Sequence, residues 1–241
     1  MATHPAPQPP LPVRIAYAMY AWPVFLLLAA ATLPVLLILP GLSRRRRLIR
    51  RAAATALRCI GMRVSVTGLR HLPHPCVVVA NHESYLDGVA LAAALPPQFG
   101  FVIKREMRAV PGAGWLLERI GAHFIHRGSE SRGRHDTRQV LRRAERGEAL
   151  VFFPEGTFHR TPGLLPFRDG AFVAAQRADL PLVPLIIRGT RRCLPPDTAF
   201  PWPGRIHLTV LEPLRVRHPG AAGRAELRDR ARALFIEQLE S

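Results

Sequence analysis

A histidine and an aspartate that could form a catalytic base lie five residues apart, at His82 and Asp87, directly after a run of apolar β-forming residues. On one continuous helix, five residues turn through about 500°, which would leave the two side chains about 140° apart. The geometry changes if a strand ends near Ala80 and a helix begins near Ser84. His82 then lies in the connecting loop and Asp87 in the first helical turn, where its carboxylate can orient the imidazole as a general base.

The same residues also have a purely structural explanation. Ser84 to Asp87 fits a capping box, with Ser84 as the N-cap residue and Asp87 at the third helical position. This leaves Asn81 and His82 unexplained, and both would stand at the carboxyl end of a strand, where α/β proteins bind their ligands. On this segment alone, a helix cap and a catalytic pair both stay open.

Two further apolar runs end in residues that could belong to a site. The run that begins at Leu150 breaks into Phe153-Pro154-Glu155-Gly156-Thr157, which is also the pattern of an ordinary Pro-x-Gly turn. The run that begins at Gly121 ends in Arg127, and an isolated arginine at a strand end is usually a surface residue. Neither segment identifies a chemistry by itself.

Short apolar runs alternate with helix-forming segments through most of the chain. This alternation predicts an α/β fold with a mostly parallel central sheet flanked by helices. Three of the runs are continuously apolar, as expected for strands covered on both faces, and Pro184 within one of them suggests an edge strand or a bulge. The predicted strands are Val64–Thr67, Cys76–Ala80, Phe101–Ile103, His123–Ile125, Leu150–Phe153, Leu182–Ile187 and Ile206–Leu211, and the predicted helices are Arg44–Ile60, Leu86–Ala94, Gly114–Ile120, His135–Arg146, Ala171–Arg177 and Ala221–Leu239.

No charged residue occurs from Ile15 to Ser43, a stretch of about 43 Å if helical, against an apolar bilayer core of about 30 Å. Because Pro23 and Pro34 lie within it, we expect a kinked span, or two shorter helices that dip into one leaflet. The arginine run 44–51 that follows is typical of the cytoplasmic end of a membrane segment. We therefore expect a disordered lead (1–14), a membrane-embedded helical segment with a basic juxtamembrane helix (15–60) and an α/β domain (61–241) on the cytoplasmic side of an inner or cytoplasmic membrane.

The formal net charge of +17 over 241 residues favours anionic partners, such as a phospholipid surface, phosphate-bearing substrates or an acidic carrier protein. Nucleic acid is the alternative partner of the arginine run, but the adjoining apolar stretch argues against it. The three cysteines are widely spaced and odd in number, so they form neither a disulfide framework nor a metal site. No other cluster has metal-ligand spacing, and we expect no metal.

Taken together and in this order, the segments resemble the blocks of the glycerophospholipid acyltransferase superfamily, and most nearly those of the 1-acylglycerol-3-phosphate acyltransferases. The similarity extends from about Leu72 to Thr190. The residues that carry it are Asn81 to Asp87 for a His-x4-Asp block, then Gly121, Phe124, Ile125 and Arg127, then Phe153 to Thr157, and finally Val183-Pro184 with Ile187.

The resemblance implies transfer of a fatty acyl group from acyl-CoA or acyl carrier protein to the free hydroxyl of a lysophospholipid, in the first place 1-acylglycerol-3-phosphate, which gives phosphatidic acid. His82 would be the base and Asp87 its orienting acid, with no acyl-enzyme and no cofactor besides the donor. Lys104 is either an assisting phosphate contact or a surface lysine after a strand. The residues expected around the substrate are Arg127, Glu155, Gly156, Thr157, Lys104, Asn81 and Ser84.

Two positions depart from the family pattern. His126 stands where an aspartate more often precedes the arginine, and Phe158-His159 replaces the more usual Arg-Ser. Both changes fall in blocks that bind the acceptor, so its headgroup stays open between lysophosphatidic acid and another lysophospholipid or a lyso-aminolipid. A membrane lipid hydrolase and a non-enzymatic protein that binds anionic lipid are the rival classes.

Overall fold

The computed structural model describes residues 9–126 and 130–240. Two short 3₁₀ helices, Leu69–His71 and Arg105–Ala109, follow the first and third strands. The α-helices are α1 (Leu11–Ile38), α2 (Leu42–Cys59), α3 (Leu86–Ala94), α4 (Ala113–Arg119), α5 (Glu130–Glu145), α6 (Gly170–Arg177), α7 (Thr190–Cys193) and α8 (Gly220–Glu240). The strands are β1 (Met62–Thr67), β2 (Val77–Ala80), β3 (Gly100–Lys104), β4 (His123–Ile125), β5 (Leu150–Phe152), β6 (Leu182–Arg188) and β7 (Gly204–Val210).

The strands form one sheet in the order β1-β7-β6-β2-β5-β3-β4. Five neighbours, from β6 to β4, are parallel. β7 is antiparallel to β6, and β1 is parallel to β7. The predicted α/β fold with a mostly parallel sheet is therefore confirmed, and each predicted strand occurs within two residues of its expected ends.

The central strand β2 is buried on both faces. Val78 and Ala80 pack with residues of α2 and α3 in one apolar layer, whereas Val77 and Val79 pack with α5, α6 and α8 in the other. All four side chains are fully buried, which explains why the strand is apolar throughout instead of alternating. Because β2 leads directly into His82, this rigid strand determines where the loop with the candidate base begins.

Pro184 lies in β6, which has neighbours on both sides, so the expectation of an edge strand is wrong and that of a bulge is confirmed. Leu185 pairs with Val210, but Leu182 pairs with Leu214, so three steps along β6 match four steps on the facing segment. The extra residue lies opposite the proline, which has no N–H to donate to the ladder.

The N-terminal segment forms one helix, α1, so of the two expected arrangements the two shorter helices are wrong and a single span with internal prolines is left. Pro23 and Pro34 lie inside it, and each removes one N–H donor while the surrounding hydrogen bonds continue, since extending a formed helix is favourable. The helix begins at Leu11, within the predicted lead, because Pro12 is tolerated in the first turn. Its length and mean hydropathy of 2.3 are sufficient to cross a membrane, and most of it is exposed.

Hydrogen bonds at both ends of α1 attach it to the rest of the protein. The Tyr20 hydroxyl donates to the Cys59 carbonyl at the end of α2 (2.8 Å). Arg119 of α4 donates to the Leu37 carbonyl near the end of α1 (2.6 Å). The Tyr20 hydroxyl is thus bonded within the protein, and α1 and α2 form a hairpin.

Arg46 joins α2 to the sheet. Its guanidinium donates to the carbonyls of Ile120 (2.9 Å) and Gln98 (3.0 Å) and to the carboxylate of Glu148 (3.1 Å), and its side chain is 9% exposed. Burial opposes ionisation of Glu148, but His123 and Arg46 outweigh it and lower its pKa to about 2. These partners precede β3, β4 and β5, so one arginine holds α2 against the amino ends of three strands.

A second set of α2 arginines faces away from the protein. Arg44, Arg47, Arg51 and Arg58 are spaced three, four and seven residues apart, which places them within about 60° of one another around the helix. All four are exposed, and none has a hydrogen-bond or ion-pair partner within residues 9–126 and 130–240. We call this set the arginine stripe.

The adjacent residues Arg46 and Arg47 provide a matched test of the α2 attachment. We expect Arg46→Ala to lower the free energy of unfolding by about 3 kcal/mol, because the partly buried Glu148 carboxylate loses its closest guanidinium. Arg47→Ala should change it by less than about 0.5 kcal/mol, since that side chain is exposed. Thermal or denaturant unfolding in detergent measures both values. Equal effects of the two substitutions would contradict the assignment.

Candidate active site

The structure brings His82 and Asp87 together as predicted. His82 lies in the loop after β2 and Asp87 in the first turn of α3. The imidazole Nδ1–H donates to the Asp87 Oδ2 at 2.8 Å, and the carboxylate is fully buried. This bond leaves Nε2 as the nitrogen with a lone pair, and it has no hydrogen-bond partner in the described part of the chain. The pair has the arrangement of a general base with its orienting acid.

The same carboxylate also begins the helix. Asp87 Oδ2 accepts the backbone N–H of Glu83 (2.7 Å) and of Ser84 (2.9 Å). The second of these bonds is the one that the predicted capping box requires between Ser84 and Asp87, although α3 begins one residue later than predicted, with Tyr85 at the N-cap position. Helix capping and orientation of His82 are therefore two roles of one oxygen atom, and neither interpretation displaces the other.

Asn81 and Ser84 were expected to contact substrate, but their side chains are 1% and 0% exposed and bonded to the backbone. The Asn81 amide donates to the Ile187 carbonyl (2.9 Å) and accepts its N–H (2.7 Å), so it continues the pairing of β2 with β6 beyond the strand end. The Ser84 hydroxyl donates to the Leu194 carbonyl (2.8 Å). Both side chains therefore position the loop, and neither is exposed to an acceptor in this structure.

Glu155 also holds the backbone instead of facing an acceptor. Its carboxylate accepts the N–H of His82 (2.7 Å) on one oxygen and the N–H of Leu165 (2.8 Å) on the other, and the residue is 4% exposed. Burial raises the pKa of this carboxyl to about 7, the two N–H donors oppose that rise, and the charges of Glu83 and Asp87 add to it. Burial likewise raises the pKa of Glu83.

The other predicted substrate contacts differ in position. Gly156 is buried at a tight turn with φ +77°, and Thr157 beside it is exposed. Lys104 ends β3, two strands and thus about 10 Å from β2, with its half-exposed amine 3.6 Å from Glu106. Arg127 lies outside the described residues. Thr157 and Lys104 are therefore the predicted contacts that the structure leaves available to an acceptor.

Aromatic rings surround the imidazole, a feature that the sequence reasoning missed. The Phe153 ring stacks on His82 with 4.2 Å between centroids, and the Phe158 ring meets it nearly at a right angle at 4.6 Å. Tyr85 in turn contacts Phe158 edge-on at 4.9 Å. The phenylalanines that flank the Pro-Glu-Gly-Thr turn could have predicted this feature. If the turn lies beside the base, the side chains before and after it lie there as well.

A second imidazole–carboxylate pair lies at the carboxyl end of β4. The backbone N–H and ring Nδ1–H of His126 donate to one oxygen of Asp136 (2.9 and 2.6 Å), and Arg105 lies 3.9 Å from the other oxygen. Burial opposes ionisation of Asp136, but the bonds and charge of His126, with Arg105, lower its pKa. His123, at the other end of β4, contacts Glu148. His126, which directly follows β4, therefore lies on the same edge of the sheet as His82, and His123 lies on the opposite edge.

The described residues contain no group of three or more His, Cys, Asp or Glu side chains that could hold a metal ion. Residues 63–188 match the family model described as Acyltransferase, and this region contains both His82 and Asp87. The chain belongs to the acyltransferase family.

Relatives of this acyltransferase-family chain share moderate identity with it. It is 28% identical over 185 residues to a 1-acyl-sn-glycerol-3-phosphate acyltransferase from Saccharomyces cerevisiae, covering 75% of this chain but only 61% of that protein. It is 33% identical over 188 residues to a lyso-ornithine lipid O-acyltransferase from Pseudomonas aeruginosa, covering 70% of each chain. The crystal structure of the 1-acyl-sn-glycerophosphate (LPA) acyltransferase from Thermotoga maritima superimposes with a TM-score of 0.78 at 21% identity, covering 95% of this chain and 96% of that chain, which shows the shared fold.

Glu155 should make the stability of this family member depend on pH. Its folded pKa of about 7 lies above the ordinary 4.5, so the folded state binds a proton more tightly than the unfolded state between these values. The free energy of unfolding should therefore fall as the pH rises through this window. Glu155→Gln cannot ionise, and its stability should change less between about pH 5 and about pH 7, by about 1–3 kcal/mol.

Thermal unfolding at the two pH values measures this difference. Glu237→Gln, at an exposed position of α8, is the matched control and should behave as the wild type. If Glu155→Gln kept the full pH dependence of the wild type, its carboxyl would not be the group with the raised pKa.

Proposed function

We propose that this chain transfers a fatty acyl group from an acyl thioester, acyl-CoA or acyl carrier protein, to the free hydroxyl of a lysophospholipid. The preferred acceptor is 1-acylglycerol-3-phosphate, and the product is then phosphatidic acid. The observation that carries the proposal is the bond of His82 Nδ1 to Asp87, which leaves Nε2 at the carboxyl edge of the sheet with no partner among residues 9–126 and 130–240. Membership of the acyltransferase family supports the same reaction.

The reaction needs a base because an alcohol is a weak nucleophile at neutral pH. The acceptor oxygen attacks the thioester carbonyl while its proton passes to His82 Nε2. The tetrahedral intermediate then expels the sulfur, and the imidazolium returns the proton to that thiolate. An ester C–O bond forms, the C–S bond breaks, and free thiol leaves. Asp87 stabilises the imidazolium through Nδ1 without taking its proton.

Direct transfer within a ternary complex fits the residues better than an acyl-enzyme. Ser84 is the hydroxyl nearest to His82 in sequence, but it is fully buried and donates to the Leu194 carbonyl. Its oxygen also accepts the Leu86 N–H at 3.2 Å. A hydroxyl with these bonds cannot reach a thioester, so the nucleophile is the acceptor alcohol itself.

The acceptor headgroup would lie along the carboxyl ends of β5, β3 and β4. Thr157 and Lys104 are exposed there, and the resemblance to the family implies Arg127 as the contact to an acceptor phosphate. The Pseudomonas relative is named for a lyso-ornithine lipid, which makes a lyso-aminolipid the second candidate acceptor. The aromatic position Phe158 is compatible with both acceptors, because it adds no charge beside the base.

The α1–α2 hairpin would hold the enzyme at a membrane. Large apolar side chains of α1 are exposed, among them Met19, Leu26, Leu27 and Ile38. The arginine stripe on α2 offers unpaired positive charge to anionic headgroups, with an attraction of about 1 kcal/mol for each arginine near the surface. We assign this surface to the cytoplasmic side of the membrane, as the arginine run predicts.

The decisive experiment supplies one labelled acyl thioester with a panel of acceptors: lysophosphatidic acid, other lysophospholipids and lyso-ornithine lipid. His82→Ala should reduce transfer about 10²–10⁴-fold, because no base then takes the alcohol proton. His218→Ala, at an exposed histidine before α8, is the control and should transfer at the wild-type rate. Circular dichroism of both variants checks that the fold is retained.

Three outcomes of the panel would contradict the proposal. Near-native transfer by His82→Ala would remove His82 as the base. Thiol release at the same rate with and without acceptor would favour a hydrolase. Absence of any thioester turnover, with binding to anionic lipid that does not depend on His82, would favour a non-enzymatic lipid-binding protein.

The arginine stripe makes a separate prediction about vesicle choice. Replacing Arg44, Arg47, Arg51 and Arg58 by Gln should weaken binding to anionic vesicles relative to neutral ones, by about fivefold for each arginine. Distribution of the protein between phosphatidylglycerol and phosphatidylcholine vesicles measures the ratio. As the control, four arginines of or next to α5, on the opposite layer of the sheet, are replaced by Gln: Arg138, Arg142, Arg143 and Arg146. If both quadruple variants lost the preference equally, net charge and not the stripe would set it.

A further inference from the structure

Apolar rings cover much of the candidate base. Phe153 stacks on one face of the His82 imidazole with an interplanar angle of 21°, and Phe158 contacts the ring at 72°. Asp87 occupies Nδ1, and the His82 side chain is 20% exposed. Neither phenylalanine ring carries a hydrogen-bonding group. The imidazole that carries Nε2 is therefore bounded by apolar surface from these two rings.

Apolar rings beside the base favour a lipid alcohol over water as the nucleophile. A water molecule at a protein site normally needs two to four polar partners to be held there. Beside His82, Nε2 supplies one partner and the phenylalanine rings supply none. A lysolipid alcohol needs only the bond to Nε2, because contacts elsewhere along the lipid hold the rest of the molecule. Apolar rings at this position thus oppose the binding of water while admitting the alcohol.

The loop that carries Phe158 is held in place from two sides. At its base, Glu155 binds the N–H groups of His82 and Leu165. Beside it, Arg191 of α7 donates to the His159 carbonyl at 3.0 Å and also to the carbonyl of the next residue, Arg160. Arg160 in turn bonds Asp197 at 2.7 Å. The position of Phe158 against the imidazole is therefore supported by hydrogen bonds within the protein.

We propose that Phe158 sets the ratio of acyl transfer to thioester hydrolysis by excluding water from the Nε2 side of His82. This inference rests on the proposed acyl transfer, and it makes Phe158 a specificity-determining residue of that reaction. Tyr85, which packs edge-on against Phe158 and is 63% exposed, supports the ring from the solvent side.

The competing reaction uses the same base. In hydrolysis, the oxygen of water attacks the thioester carbonyl, its proton passes to His82 Nε2, and the C–S bond breaks. The imidazolium returns the proton to the leaving thiolate, so the products are a fatty acid and a free thiol. Transfer differs in one reactant, the lipid alcohol in place of water. Any group that changes the occupancy of water beside Nε2 therefore changes the ratio of the two products.

Three substitutions of Phe158 separate size from polarity. Phe158→Leu keeps an apolar wall and should keep the product ratio within about twofold of the wild type. Phe158→Ala opens the space, and we expect hydrolysis relative to transfer to rise at least about fivefold. Phe158→Ser opens the same space and adds a partner for water, so its ratio should exceed that of the alanine variant. Labelled acyl thioester with saturating lysolipid gives free fatty acid and diacylated product from one chromatogram.

Two further variants test the route of the hydrolysis. Thr161→Ala changes an exposed side chain of the same loop and should leave the ratio at its wild-type value. The double variant His82→Ala/Phe158→Ala should lose both reactions, since both require the same imidazole. Hydrolysis that survives in the double variant would mean that water is activated elsewhere, which overturns the inference.

The two proposals fail in different ways. If the wild type formed no diacylated product with any acceptor, the proposed function would fail, and the role of Phe158 with it. If the wild type transferred acyl groups but the alanine and serine variants kept its product ratio, the function would stand and the role of Phe158 would be refuted.

Discussion

One buried carboxylate oxygen controls the geometry of the whole catalytic edge. Asp87 Oδ2 accepts three N–H groups, from the His82 ring and from the backbone of Glu83 and Ser84. Burial of a charged carboxylate is unfavourable unless hydrogen bonds compensate it, and here the compensating donors are the loop itself. One oxygen atom therefore fixes three features: the start of α3, the path of the loop and the tautomer of the imidazole. A change in one of them would change the other two.

Side chains continue the sheet where its strands stop. Beyond β2, the Asn81 amide pairs with Ile187 of β6, and Glu155, just after β5, receives the His82 N–H. The loop with the base is thus attached to the neighbouring strands on both sides by groups that replace the lost ladder bonds. This explains why the polar residues of the sequence blocks are so deeply buried. Most of them hold the loop after β2 in place, and few are exposed to a substrate.

Much of this architecture follows from sequence pattern, because buried strands of a parallel sheet are continuously apolar and their carboxyl ends share one edge. The pairing of His82 with Asp87 could be predicted from a strand end followed by a helix start. The burial of Asn81, Ser84 and Glu155 could not, since polar residue types alone do not tell a backbone partner from a substrate contact. The position of Phe158 depends on how an entire loop returns over β2, and local pattern carries no information about that path.

Arg46 and His82 stand at opposite ends of the strands, the first before β3, β4 and β5 and the second after β2. The length of the strands therefore separates the Arg46 contacts, which attach the α1–α2 hairpin, from the His82 imidazole by about 15 Å. Insertion of a single residue into β2 would exchange the side chains that face its two helical layers. It would also shift the imidazole away from the α1–α2 hairpin by about 3 Å.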